Sequence, residues 1–147
     1  RPTKAATGAA PDDAEAEALS QLRALPPPRS GEAASVSRKR GEAHLVLART
    51  GSRLARKDLL ACLGALGADR GRLYCEAAAL IGDAEFLPVL AALAERNADC
   101  GAGDAIGAIA ARERLTARSK AVKDLEPALR AIAMGAITAG RAGARDR

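Results

Sequence analysis

The chain has 147 residues, enough for one domain with a sizeable core, and its 48% hydrophobic content is mostly Ala and Leu. One Phe, one Tyr and no Trp leave little for strands, which favour aromatic and β-branched residues, and little for stacking the bases of single-stranded nucleic acid. The formal net charge of +5, with Arg supplying 18 of the 23 basic residues, fits either a compositional bias toward Ala, Arg and Gly or a basic face for nucleic acid or an acidic partner.

In chain order, residues 1–41 stand apart as a flexible or partly helical N-terminal segment. "RPTKAATGAAPDD" is small and polar. "AEAEALSQLRAL" (14–25) predicts a short helix with Ala14, Ala18, Leu22 and Leu25 on one face and Asp13 as N-cap. "PPPRSGEAASVSRKRG" (26–41) predicts a linker or mobile loop, because consecutive prolines prefer an extended conformation and the remainder lacks apolar periodicity. Its "SRKR" run reads as a solvated basic cluster.

Residues 42–140 read as a helical domain and 141–147 as a basic tail. Leu59, Cys62, Leu63 and Leu66 fall at i, i+3, i+4 and i+7; so do Phe86, Val89, Leu90 and Leu93, and again Leu125, Ala128, Leu129 and Ile132. Each set is one apolar face of an amphipathic helix. Between them lie helical segments over 72–82 and 101–115. The turns "GADRG" (67–71) and "NADCG" (97–101) carry the Gly and Asn expected of left-handed C-terminal caps. Asp83 is expected to cap the helix that follows Gly82, and Asp124 with Glu126 to do the same for the last helix.

Pro88 is the one objection to the helix "IGDAEFLPVLAALAERN". A few residues after Asp83 it belongs in the first turn, where N–H groups have no intrahelical partner to lose. Pro127 recurs 39 residues later on the matching stripe, "FLPVLAALA" against "LEPALRAIA", which suggests a repeated unit.

These residues resemble the HEAT-repeat superfamily, especially the short bacterial repeats also found in phycobilisome lyase-like proteins. The matching features are the turn Ile81-Gly82-Asp83, Leu87-Pro88 with the leucines after it, "DAIGAI" (104–109) and "DLEPALRAI" (124–132). The likeness spans about 57–139 and is closest over 73–110; Ala98-Asp99 stands where the family usually has Val-Arg. It implies an all-α fold, a short armadillo-like α-solenoid of stacked antiparallel helix pairs. It also implies a non-enzymatic protein-interaction or scaffold module, capped by 14–25 and 42–50 or part of a longer array. The alternatives are an electrostatic nucleic-acid binder and a lyase-like accessory factor.

No catalytic, cofactor or metal constellation is legible, so the chain reads as a non-enzyme with no cofactor. His44 is expected on a helix surface. Cys62, Cys75 and Cys100, with no CxxC and a single His, read as buried small hydrophobes. Asp12, Asp13, Glu15 and Glu17 read as a solvated helix start, and Gly101, Gly103 and Gly107 match no phosphate loop. Tyr74 and Phe86 are expected in the core or at a groove edge. The candidate basic interaction surface is Arg49, Arg53, Arg56, Arg112, Arg114 and Arg118, since guanidinium pairs with carboxylate or phosphate. The repeat resemblance sets the expectation of a protein partner, and the lack of a visible signal peptide or apolar run near 18 residues sets those of no membrane and a cytoplasmic location.

Overall fold

The structure is a computed structural model and describes residues 11–65 and 71–145. The polar start of the chain, Leu66 of the first stripe and most of the 67–71 turn lie outside the described residues. Every regular element described is helical: α1 (Pro11–Ala24), α2 (Ala34–Arg49), α3 (Arg56–Ala65), α4 (Arg72–Ile81), α5 (Leu87–Arg96), α6 (Ala102–Glu113), α7 (Lys120–Lys123) and α8 (Pro127–Arg145). A single 3-10 turn, Ala84–Phe86, leads into α5. The fold class is all-α.

The helices pack in a regular order. α2 lies against α1 and α4, α4 against α6, and α6 against α8, so the even-numbered helices form a contiguous series. α3 touches α4 and α5, while α5 touches α6 and α8. The first two stripes seen in the sequence fill the space between, whereas in the third Leu125 precedes α8 and Ala128 is exposed. Leu59, Cys62 and Leu63 of α3, Leu87, Leu90 and Leu93 of α5, and Ile106 and Ile109 of α6 are all buried, and Phe86 is fully enclosed. A smaller cluster, Ala18, Ala43 and Leu47, joins α1 to α2. Small side chains let backbones come close. A Cβ on Gly41 of α2 would lie 3.0 Å from Leu73 Cβ, and one on Gly140 of α8 would lie 3.4 Å from Gly107 Cα of α6.

Pro88 is the second residue of α5, beside the start set by the Asp83 cap and the 3-10 turn. Pro127 opens α8. Neither position has an intrahelical N–H to lose, so the cost of a mid-helix proline does not arise.

Four local expectations need correction. Residues 34–41 are the first half of α2, not linker, and Ser37, Arg40 and Gly41 are buried. Their inward face is polar, so hydropathy hides it; each inward group instead finds a specific partner. Asp13 sits inside the first turn of α1, which already begins at Pro11. Residues 141–145 continue α8 instead of forming a tail. Asn97 ends α5 in an extended conformation, and the left-handed glycine of that turn, Gly101 (φ 93°), precedes α6 as its N-cap.

Candidate functional site

Of the six arginines that the sequence offers as a basic surface, three meet at one turn, Arg56 half-buried and Arg53 and Arg112 exposed. Arg56 gives two hydrogen bonds to the carboxylate of Asp83, from Nε and Nη2, each 2.8 Å, and a third from Nη2 to Glu85 at 2.6 Å. Arg53 donates to Asp83 Oδ2 and to the carbonyl of Ile81, both at 2.8 Å. Arg112, 30 residues further on, donates to the carbonyls of Ala79 (2.9 Å) and Gly82 (2.6 Å). Helix α4 leaves its last carbonyls without intrahelical partners, and two guanidinium groups satisfy them.

Asp83 meanwhile caps the next turn by accepting from the Glu85 N–H at 3.0 Å. Hydrogen bonds from Arg56 first, then from Glu85 N–H and Arg53, hold the Asp83 carboxyl below the usual carboxylate range against the opposing effect of burial. The Arg56 guanidinium lies 5.3 Å over the ring of Phe86, so its charge also faces an aromatic quadrupole. These arginines do structural work. Arg49, Arg114 and Arg118 are exposed like Arg53 and Arg112 but take no part in this turn. Arg114 ends α6 with a left-handed backbone (φ 56°).

A second polar line runs through the α2 interior. Arg40 is 1% exposed and forms a two-pronged pair with Glu32, Nη2 to Oε1 at 2.6 Å and Nε to Oε2 at 3.3 Å. It also donates to the carbonyl of Pro26, which draws the segment before α2 onto the helix. One turn earlier on α2, Tyr74 of α4 donates its hydroxyl proton to the Ser37 carbonyl at 2.6 Å. Burial pushes that phenol up to about 12, so it stays a donor at any physiological pH.

One turn beyond Arg40, His44 is 2% exposed, not on the surface, and its Nε2 lies 2.7 Å from Asp58 Oδ2 of α3. Cys62 Sγ completes a triangle, 3.8 Å from His44 Nε2 and 3.7 Å from Asp58 Oδ2. Among the described residues this is the one group of three or more metal-ligating side chains whose atoms all lie within 4.8 Å of one another. Asp58 and Cys62 come together because they stand at i and i+4 on one helix face, a spacing visible in the sequence; their meeting with His44 depends on how α2 and α3 pack. The hydrogen bond from His44 holds the Asp58 carboxyl below its ordinary range, and burial pushes the Cys62 thiol up. A catalytic relay would place the carboxylate on one imidazole nitrogen and the nucleophile on the other. Here both converge on Nε2, so the trio is not a Cys-His-Asp nucleophile.

The remaining cysteines, Cys75 and Cys100, are buried against each other at the α4–α6 contact, where burial and mutual proximity raise the Cys75 thiol to about 12. At the far end of the helix series a groove of about 300 Å³ opens between α6 and α8. Its lining includes the apolar side chains of Leu115 and Ile137 and the exposed arginines Arg114 and Arg141. No family model matches the chain, and no curated protein or solved structure matches it at a significant level. Among the described residues no helix is long and apolar enough to cross a membrane.

Proposed function

We propose that the chain is a short α-solenoid of HEAT-repeat type acting as a protein-binding or scaffold module, and that the groove between α6 and α8 takes an acidic segment of the partner. The observation that carries the reading is that groove. Its apolar lining offers Leu115 and Ile137, and its two guanidinium groups, Arg114 and Arg141, engage no carboxylate among the described residues. Guanidinium beside apolar surface is the pattern of interface anchors. The ordered contact of α2 with α4, α4 with α6 and α6 with α8 supports the repeat reading, as does the recurrence of proline at the starts of α5 and α8.

The nucleic-acid reading is weakened because Arg53 and Arg56 are paired with Asp83 and Arg112 donates to backbone carbonyls, which leaves fewer free cations to release counterions from a phosphate backbone. The test is an affinity pull-down from host lysate with nuclease, at low and high salt, comparing the native chain with an Arg114→Glu/Arg141→Glu double variant. A specific protein retained by the native chain at high salt and lost by the variant supports the proposal. Recovery that disappears with nuclease, or a partner bound equally by the variant, overturns it.

A further inference from the structure

His44, Asp58 and Cys62 carry no part of the binding role proposed above, yet they are the most chemically specific cluster among the described residues. We propose that they form a binding site for one zinc-class divalent cation, ligated by His44 Nε2, an Asp58 carboxylate oxygen and Cys62 Sγ, with solvent as the fourth ligand. The donor set is the first argument. One imidazole nitrogen, one carboxylate oxygen and one sulfur suit a borderline-soft ion such as zinc; calcium and magnesium take all-oxygen shells.

Geometry is the second argument. A tetrahedral zinc with ordinary bond lengths sets its N, O and S ligands apart by about 3.3 Å (N to O), about 3.6 Å (N to S) and about 3.5 Å (S to O). The observed separations are 2.7, 3.8 and 3.7 Å in the same order. Both sulfur distances are within a few tenths of an ångström. Only the His44–Asp58 separation has to open, by about 0.6 Å from a direct hydrogen bond. Asp58 is the ligand able to make that move, since its side chain is 37% exposed while that of His44 is 2% exposed.

Charge and access agree. A dication with one carboxylate, one thiolate and a neutral imidazole is a neutral unit, the cheapest form of ion to bury. Binding forms the metal–sulfur bond as the Cys62 thiol proton leaves to solvent, one proton for each ion bound. Entry and the solvent ligand come from the Asp58 side, because Cys62 and His44 are closed off by the core. Two ligands stand at i and i+4 on α3 and the third on α2, so rigid elements present all three and the ion would tie these helices together.

The test uses the full chain, stripped with a chelator and titrated with cobalt(II), then zinc. One equivalent of cobalt is expected to give visible ligand-field bands and a near-ultraviolet thiolate-to-cobalt charge-transfer band, both lost when zinc is added. Cys62→Ser should lose the charge-transfer band, and the Cys75→Ser/Cys100→Ser double variant should keep it. Asp58→Asn preserves a hydrogen bond to His44 and so protects the fold. Checked for unchanged helix content, it should bind zinc more than about 100-fold more weakly in chelator competition, beyond the loss that follows removal of an outer-shell partner. Absence of cobalt bands in the folded native chain, the same charge-transfer band in Cys62→Ser, or unchanged zinc affinity in Asp58→Asn would each overturn the assignment.

Discussion

Replacing Asp83 with Ala removes a cap and the centre of an ion-pair network in one step. The cap, a carboxylate oxygen accepting from Glu85 N–H, is worth about 1 kcal/mol. The two-pronged contact with Arg56 is harder to place. Arg56 and Asp83 are 18% and 20% exposed, between a surface pair, worth at most about 1 kcal/mol, and a buried pair, whose rupture costs about 3–5 kcal/mol. Glu85 remains for Arg56 to hold, but it is 65% exposed and compensates little. A loss of about 2 kcal/mol follows for this contact. Arg53 is half exposed and adds a minor part. The total is about 3 kcal/mol, which for a chain of this length lowers Tm by about 10 °C.

Urea unfolding followed by circular dichroism gives the free energy directly, with an unchanged slope showing that only stability has moved. Asp83→Asn is the informative companion. Its side-chain oxygen still accepts from Glu85 N–H, so only the charge is lost and the cost should fall to about 2 kcal/mol. A double-mutant cycle with Arg56→Met should return most of that as coupling. If Asp83→Ala costs less than about 0.5 kcal/mol, the turn does not organise the fold and the structural role given to these arginines is wrong.

Other expectations follow from the same contacts. Asp83 and Asp58 both have folded carboxyls held below their unfolded values, so the stability they add is present above about pH 4 and lost as pH falls through the folded values; acid titration of Asp83→Asn should show a shallower decline than the native chain. Gly82→Ala would set a Cβ 2.5 Å from the Ala78 carbonyl oxygen at the end of α4 and 2.8 Å from Ile109 Cδ1 of α6, although its φ of −70° suits any residue; an overpacking cost of about 1–3 kcal/mol is expected in urea titration, and none would mean that neither close approach exists in the folded chain. Leu90→Asp buries an unpaired carboxylate at a position that is 0% exposed and should abolish the cooperative thermal transition; a native-like melt would show that the stripe is not core.

The apolar skeleton was readable because its signal is periodic. Leu59, Cys62 and Leu63, then Phe86, Leu90 and Leu93, occupy the buried faces that their spacing assigns. The start of α2 was unreadable for the opposite reason. Ser37, Arg40 and His44 follow a helical spacing, but their burial depends on Tyr74, Glu32 and Asp58, which no local pattern reveals. The same applies to the arginines. Arg53, Arg56 and Arg112 look like a solvent-facing basic set until the turn at 81–83 is folded, and only then do carbonyls and a carboxylate appear within reach. Of the candidate metal centre, the i, i+4 relation of Asp58 and Cys62 was present in the sequence, while the third ligand came from the packing of a different helix.

The polar contacts also answer a question that the composition raises. Ala side chains are nearly interchangeable in shape, and an Ala-rich helix can slide against its neighbour with little loss of buried area. Directional contacts remove that freedom. Tyr74 to Ser37 fixes α4 against α2, His44 with Asp58 fixes α3 against α2, and Arg112 to the Ala79 and Gly82 carbonyls fixes α6 against the end of α4. Each contact joins two helices at a single register, because a one-residue slip moves the partner atom by about 1.5 Å and turns it away by about 100°. Breaking one partner in such a pair costs more than the pair contributes, since the other is left buried and unsatisfied. The apolar stripes therefore decide that these helices pack together, and a handful of directional polar contacts decide where along their lengths they do so.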